Sequence, residues 1–200
     1  MRVKKKKNSS KSKKDVLLIV ENSEVIFFKQ YFNQYLQDKY SISIKCESSG
    51  AGNKCDITNF NKMNKRITRA IRKEGFNAVF LMLDLKTKCF QRETTHHCLI
   101  QLKQEYFPKY KIDSSLKDKF YLFVVCNEIE SWFLTIKKDT NNVHQNHKEE
   151  LMRFLKVQSE PQIIQKMIKE LKSDKYQLDF SKNTSLEYFV NKLKNLLSKR

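Results

Sequence analysis

The segment VLLIVENSE, residues 16–24, contains the clearest indication of the fold of this chain. Its first five residues are apolar, and a continuous apolar run of this length is typical of a parallel strand buried on both faces. Glu21 follows the run directly, and Glu24 comes three residues later. Asn22 or Ser23 can cap a helix that begins there. The stretch therefore predicts a buried strand and a following helix, with carboxylates at the turn between them.

The same succession of strand and helix continues along residues 15–137. Apolar runs and alternating positions predict further strands, and apolar residues at helical spacing predict the helices between them. The further strands are expected at residues 42–46, 78–83 and 120–126, and the helices at residues 25–36, 60–71, about 94–107 and 128–136. Regular alternation of this kind predicts an α/β fold, in which a parallel sheet with right-handed crossovers carries helices on both faces.

Two flanking regions complete the predicted organisation. Residues 1–14 are polar, basic and aperiodic, which indicates a disordered basic arm. Residues 138–200 show only helical patterns, and we interpret them as a helical appendage packed on the sheet domain of residues 15–137. The last helix of the appendage is expected to begin with a capping box formed by Thr184 and Glu187.

Composition predicts one cytoplasmic domain that binds a polyanion. The 200 residues suit one domain, and a hydrophobic content of 40% supplies its core. The formal net charge of +18 favours DNA, RNA or an anionic membrane surface as a partner, although a general preference for Lys explains the charge equally well. No apolar segment reaches the ~18 residues of a membrane helix, and no signal peptide follows the basic start. We therefore expect no membrane partner, and five cysteines kept reduced in the cytoplasm.

Acidic residues stand where three of the predicted strands end. Glu21 follows the first strand, Asp84 the third, and Glu128 and Glu130 the fourth. Functional groups of open parallel sheets gather at the carboxyl ends of the strands, and a strand order of 2-1-3-4 makes these three ends neighbours. Crowded carboxylates repel one another unless a cation lies between them, and oxygen ligands suit Mg²⁺ or Mn²⁺. The alternative is that these acids only cap the helices that follow.

Five segments of the chain resemble Toprim domains of small prokaryotic proteins. The segment LLIVENSEVIFFKQYF (17–32) resembles the opening of these domains, with Glu21 and Glu24 as the E-x-x-E pair, and AVFLMLDLKTK (78–88) lies where the family has Asp-x-Asp. The likeness extends in order and spacing over nearly the whole chain after the arm. The other segments are a Ser/Gly loop, ESSGAGNKCDI (47–57), a strand with an E-x-E-x-W element, FVVCNEIESWFL (123–134), and a final helix, SLEYFVNKL (185–193).

The resemblance implies a Toprim fold, as in topoisomerases, primases and OLD-family nucleases, together with phosphodiester chemistry assisted by Mg²⁺ or Mn²⁺. It implies that Asp84 is the principal metal ligand, that Glu21 is the acid/base or a metal-bound glutamate, and that Glu128 is a third catalytic residue. Glu24 and Glu130 are further ligands or orienting groups. The expected function is a metal-dependent nuclease acting on DNA or RNA, in the role of a defence or toxin effector.

The sequence departs from the family at position 86, where Lys86 stands in place of the second acid of Asp-x-Asp. An ammonium group cannot ligate a metal. Lys86 either binds phosphate while Glu128 or Glu130 completes the metal site, or pairs with Asp84, or marks a degenerate protein that binds nucleic acid without cutting it. A further alternative is an activity that requires a partner such as an ATPase, because the chain lacks a Walker motif of its own. Self-association of the chain is left open.

Basic side chains recur along the helix predicted at residues 60–71. A solvated helix face is the ordinary interpretation, and a phosphate track is the alternative if this helix flanks the acidic crevice. The residues predicted to contact nucleic acid are Lys65, Arg66, Arg69, Arg72 and Lys86. The last helix offers a second basic row, formed by Lys192, Lys194, Lys199 and Arg200.

Overall fold

The structure, a computed structural model, describes the chain in six stretches. The described residues are 16–21, 24–50, 57–84, 104–125, 128–141 and 145–198. The arm predicted at residues 1–14 lies outside them, as do Lys86 and most of the helix expected at residues 94–107. Among the described helices, none is both long enough and apolar enough to cross a membrane.

Four strands of the described chain form one parallel sheet. The strands are β1 (Val16–Val20), β2 (Ile44–Ser48), β3 (Ala78–Asp84) and β4 (Phe120–Val125). Their order is β2-β1-β3-β4, which is the order that makes the three acidic strand ends neighbours. Ile19 pairs with Leu81, and Asp84 pairs with Val125. The carboxyl ends of β1, β3 and β4 therefore lie side by side, along the same edge of the sheet.

Helical segments connect the strands and continue beyond them. The first, α1, covers residues 25–40 and contains a π-helical turn at Phe28–Phe32 between two α-helical pieces. The other α-helices are α2 (Phe60–Arg72), α3 (Ile129–Phe133), α4 (His147–Leu155), α5 (Glu160–Lys172) and α6 (Thr184–Ser198). Short 3₁₀ helices occur at Phe107–Tyr110, Ser114–Lys119, Leu134–Ile136 and Phe180–Lys182. These elements confirm the expected α/β class with a helical C-terminal part.

Alternate residues of β1 face two separate hydrophobic cores. Leu18 belongs to a large core that also contains residues of α1, α3 and the three C-terminal helices. Leu17 belongs to a smaller core with α2 and the 3₁₀ helices that precede β4. Both side chains are fully buried. Burial on both faces explains why β1 is a continuous apolar run, and it confirms the expected helices on both faces of the sheet.

A buried polar network ties the C-terminal helices to α3. The indole Nε1 of Trp132 donates to Ser185 Oγ at 2.9 Å, and Ser185 Oγ donates to Asn183 Oδ1 at 2.7 Å. Asn183 Nδ2 donates to Thr140 Oγ1 at 2.9 Å and to Ser131 Oγ at 3.2 Å. All five side chains belong to residues that are at most 3% exposed. Each polar atom here therefore depends on its partner inside the network.

Asn183 also caps α6. Its Oδ1 accepts a hydrogen bond from the backbone N–H of Leu186 at 3.0 Å, which is the contact of an N-cap side chain. The predicted capping box of Thr184 and Glu187 is therefore wrong. Thr184 is the first residue of α6, and its Oγ1 donates to Asn141 Oδ1 at 2.7 Å. The cap lies one residue earlier than expected because Asn183 is the residue that the buried network holds in place.

Replacing Asn183 with Ala is expected to lower the free energy of unfolding by about 2–4 kcal/mol, because the change removes a cap and leaves buried partners unsatisfied. Asn191→Ala, on the exposed side of the same helix, is the matched control and should change it by less than about 0.5 kcal/mol. Urea unfolding, followed by the fluorescence of Trp132, measures both variants. Similar values for the two would contradict the structural role assigned to Asn183.

Candidate functional site

Carboxylates from three strand ends converge at one edge of the sheet. Glu21 directly follows β1, Asp84 is the last residue of β3, and Glu130 lies in the first turn of α3, after β4. Glu24 occupies the residue before α1. The charges of Glu21 and Glu130 act on both Glu24 and Asp84. The structure thus brings four of the five predicted metal ligands together, and we call these four residues the acidic cluster.

The centre of the acidic cluster is shielded from water. Glu24 is 2% exposed and Glu130 is 3% exposed. Both carboxyl oxygens of Glu24 and Oδ1 of Asp84 are buried without a basic partner among the described residues, and the two carboxyl groups lie close enough to hydrogen-bond to each other when one of them is protonated. A buried polar atom normally has a partner, and a buried charge without one is costly. These oxygens therefore mark a place where a proton or a cation is needed.

Burial and mutual repulsion raise the pKa values of Glu24, Asp84 and Glu130. Burial raises the pKa of Glu24 well above its usual value, and the charge of Glu21 raises it further. Burial acts in the same way on the pKa of Asp84, and the charge of Glu24 adds to the effect. Burial, together with the charge of Glu128, raises the pKa of Glu130 to about 7. Without a cation, these three carboxyl groups therefore retain protons at pH values where exposed carboxyl groups are ionised.

Helix capping does not account for the acids at two of the strand ends. Glu24 occupies the N-cap position of α1 and Glu128 that of α3, yet neither side chain makes a capping hydrogen bond. The alternative that these acids are only caps is therefore wrong for both residues. Their carboxyl groups are available for other contacts at the edge of the sheet.

Glu128, the fifth predicted ligand, interacts with the α3 side of the acidic cluster. Its charge acts on Glu130 and on Lys148. Lys148 of α4 forms a partly buried ion pair with Glu160 of α5, and its positive charge acts on Glu130 as well. The C-terminal helices thus bring a cationic side chain next to the acidic cluster. Lys148 could not be predicted at this place from the sequence, because no local pattern relates it to the strand ends.

The arginines of α2 are held in ion pairs. Arg66 makes a two-pronged contact with Glu47 of β2, at 2.5 and 2.8 Å, and a second contact with Glu74 at 3.1 Å. Arg69 also pairs with Glu74, at 3.2 Å.

The remaining basic residues of α2 differ in their contacts. Arg72 pairs with Asp113 at 2.8 Å, and Lys65 is exposed. These arginines would have to exchange carboxylates for phosphates to form the predicted track, whose other member, Lys86, lies outside the described residues.

The donor set of the acidic cluster fits a divalent cation, although its geometry does not reproduce a metal site. In the described part of the chain, no group of three or more His, Cys, Asp or Glu side chains is arranged to hold a metal ion. The chemistry of the set is nevertheless that of hard oxygen ligands, which suit Mg²⁺ or Mn²⁺. The buried carboxyl oxygens of Glu24 and Asp84 are the atoms that such an ion would satisfy.

Comparisons with protein-family models, with curated proteins and with solved structures give no match to this chain. The fold and the site therefore define it as a parallel α/β protein with a buried acidic cluster at the carboxyl edge of its sheet. Its resemblance to Toprim domains stays a prediction from the sequence.

Proposed function

We propose that this protein is a nuclease that hydrolyses phosphodiester bonds of DNA or RNA with the help of Mg²⁺ or Mn²⁺. One observation carries the proposal: the carboxyl groups of Glu24 and Asp84 are buried next to each other without a basic partner among the described residues, and two further acids act on them. Several carboxylates crowded at the carboxyl edge of a parallel sheet are a suitable setting for a divalent cation that also contacts phosphates.

Glu24 and Asp84 would hold the cation, and Glu21 and Glu130 would stand beside it. The chemistry that a divalent cation supplies when bound is polarisation of a phosphoryl oxygen and a lowered pKa of coordinated water. A cation here would also remove the repulsion among the carboxylates. This relief of repulsion is the reason that a cation would bind at the acidic cluster.

Two glutamates are placed to move protons. Glu21 is partly exposed whereas Glu24 is buried, so Glu21 is the acid in the better position to exchange protons with solvent. Glu130 has a pKa raised to about 7 by burial and by Glu128, so it is partly protonated at neutral pH and can accept or donate a proton. Lys148, which pairs with Glu160, lies close enough for its positive charge to lower the pKa of Glu130 and so to oppose the effect of burial.

The basic charge of the chain supports a polyanionic substrate. A formal net charge of +18 attracts the phosphate backbone over several ångströms of solvent and raises the rate of encounter. Such attraction is independent of sequence, and it offsets the repulsion that the acidic cluster alone would exert on phosphates. The exposed Lys65 of α2 adds to this attraction.

The proposal is tested by incubating the purified protein with short labelled DNA and RNA strands in Mg²⁺, Mn²⁺ or EDTA. We expect cleavage of at least one substrate in Mg²⁺ or Mn²⁺, none in EDTA, and recovery when the metal is restored. Cleavage that is indifferent to EDTA would contradict the metal dependence, and absence of cleavage in every metal would contradict the nuclease assignment.

A second candidate function is nucleic-acid binding without cleavage. The observation that favours it is Lys86, which stands where the resemblance to Toprim domains places an acid. Such a protein would bind nucleic acid in a salt-sensitive manner that does not change with divalent ions. A protein whose cleavage requires a partner, such as an ATPase, would become active only when that partner is added.

A further inference from the structure

A cavity of about 390 Å³ lies along the outer edge of β4. This strand is the last in the described sheet. Phe120 and Leu122 belong to the core on one face of the sheet, whereas Tyr121 and Phe123 belong to the core on the other face. All four residues line the cavity, which therefore wraps around the edge of the strand. Its volume is within the range of about 300–1,000 Å³ that is typical of ligand sites.

The walls of this cavity are built mainly from aromatic rings. Tyr188 of α6 lies parallel to Phe123, with ring centroids 5.9 Å apart and planes at 11°. Phe107 stacks in a similar way on Phe120, at 5.3 Å and 23°. Tyr188 is 48% exposed, which is unusual among the large apolar side chains of the described residues. Tyr188 thus presents apolar ring surface to solvent, whereas Phe120 and Phe123 behind it are at most 2% exposed.

A positively charged side chain, that of Lys192, lies at the same cavity. Lys192 is one helical turn after Tyr188 and lines the cavity with it. Its Nζ lies 4.6 Å from the centroid of the Tyr121 ring. Lys192 forms no ion pair with an acid among the described residues. Its ammonium group can therefore bind an anionic group of a ligand.

We infer that this aromatic cavity, the β4 groove, seats an unpaired base of a nucleic-acid strand while Lys192 contacts an adjacent phosphate. Flat rings and one cation match the two parts of a nucleotide, because bases stack on aromatic side chains and phosphates bind ammonium groups. A second copy of the chain fits less well, since it would bring the same Lys192 and the same +18 charge to the contact. Only an unpaired base exposes its face, so the substrate class is single-stranded DNA or RNA.

The position of the β4 groove suits a strand that continues to the acidic cluster. β4 runs from the groove toward the sheet edge at which Glu130 follows it. Six residues of extended chain measure about 20 Å, which a few unstacked nucleotides can span. The inference therefore rests on the proposed function for the chemistry at the far end, but binding in the groove requires neither metal nor cleavage.

Binding in EDTA tests this inference separately from the nuclease activity. The probes are fluorescein-labelled oligothymidylate and oligouridylate, together with an abasic strand of the same length and charge, and the measurement is fluorescence anisotropy. We expect wild type to bind at least one base-bearing strand about tenfold more tightly than the abasic strand. Tyr188→Ala should lose this preference, and Tyr188→Phe should keep it.

Lysine variants test the phosphate contact. Lys192→Gln should weaken binding of base-bearing and abasic strands alike, by about threefold to tenfold, whereas Lys166→Gln, on the exposed side of α5, should change neither.

Equal affinity of wild type for base-bearing and abasic strands would overturn the inference. A Tyr188→Ala variant that keeps the base preference, or that instead abolishes self-association measured by sedimentation, would also overturn it. Base preference without any cleavage in Mg²⁺ or Mn²⁺ would leave the β4 groove standing and remove the proposed nuclease.

Discussion

Asp84→Asn is expected to lower metal-dependent cleavage by at least about a thousandfold, because a divalent cation supplies several kcal/mol of transition-state stabilisation and each 1.36 kcal/mol is about tenfold in rate. Asp84 is the last residue of β3, and the charges of Glu24, Glu21 and Glu130 act on it. The amide keeps the shape of the side chain but is a weaker ligand without charge. Single-turnover cleavage of a labelled strand in Mg²⁺ measures the loss.

The fold of Asp84→Asn should remain intact in this experiment. In the metal-free protein the variant should even be more resistant to urea than wild type, since it removes one charge from a buried, repelling group. Asp118→Asn, in the exposed 3₁₀ helix before β4, is the matched control and should cleave at the wild-type rate. Cleavage by Asp84→Asn within a few-fold of wild type would remove Asp84 from the site.

The metal-free protein is expected to lose stability as the pH rises from about 5 to about 8. Glu130 has a pKa raised from 4.5 to about 7 in the folded state, mainly by burial and then by the charge of Glu128, with Lys148 opposing. The folded state therefore binds more protons than the unfolded state between these values, so the free energy of unfolding falls with rising pH. The shift corresponds to about 3 kcal/mol for Glu130, and Glu24 and Asp84 act in the same direction.

Urea unfolding at a series of pH values, in EDTA, measures this dependence. Glu130→Gln should flatten the profile by about 3 kcal/mol relative to wild type, and this comparison cancels the contribution of other titrating groups. Glu187→Gln, on the exposed side of α6, should follow wild type. Mg²⁺ or Mn²⁺ should restore stability at the alkaline end. A Glu130→Gln profile that is as steep as the wild-type profile would contradict the buried, repelling state described for this glutamate.

The sheet and the acidic cluster could be predicted from the sequence because both depend on local patterns. Buried parallel strands are continuous apolar runs, and the acids directly follow those runs in the chain. Once the strand order is 2-1-3-4, the geometry of a parallel sheet brings Glu21, Asp84 and Glu130 to the same edge. Because functional groups of parallel sheets gather at the carboxyl ends of the strands, short segments of sequence were enough to predict where the site lies.

The contacts between distant segments could not be predicted in this way. Lys148 reaches the acidic cluster from the C-terminal helices, and Arg66 pairs with Glu47 across two elements. Long charged side chains have many partners of similar energy, and only the packed fold selects among them. The same holds for Asn183, whose role as a cap depends on buried partners that come from another part of the chain.

Binding of Mn²⁺ in the absence of nucleic acid tests the central claim, that separate strands bring carboxylates together to share one cation. Electron paramagnetic resonance of free Mn²⁺ gives the affinity of wild type, of Glu24→Gln and of the control Glu187→Gln. We expect saturable binding by wild type and control, and a loss of at least about tenfold in Glu24→Gln, because the carboxyl group of Glu24 is buried beside that of Asp84. Equal Mn²⁺ affinity of Glu24→Gln and wild type would contradict the central claim.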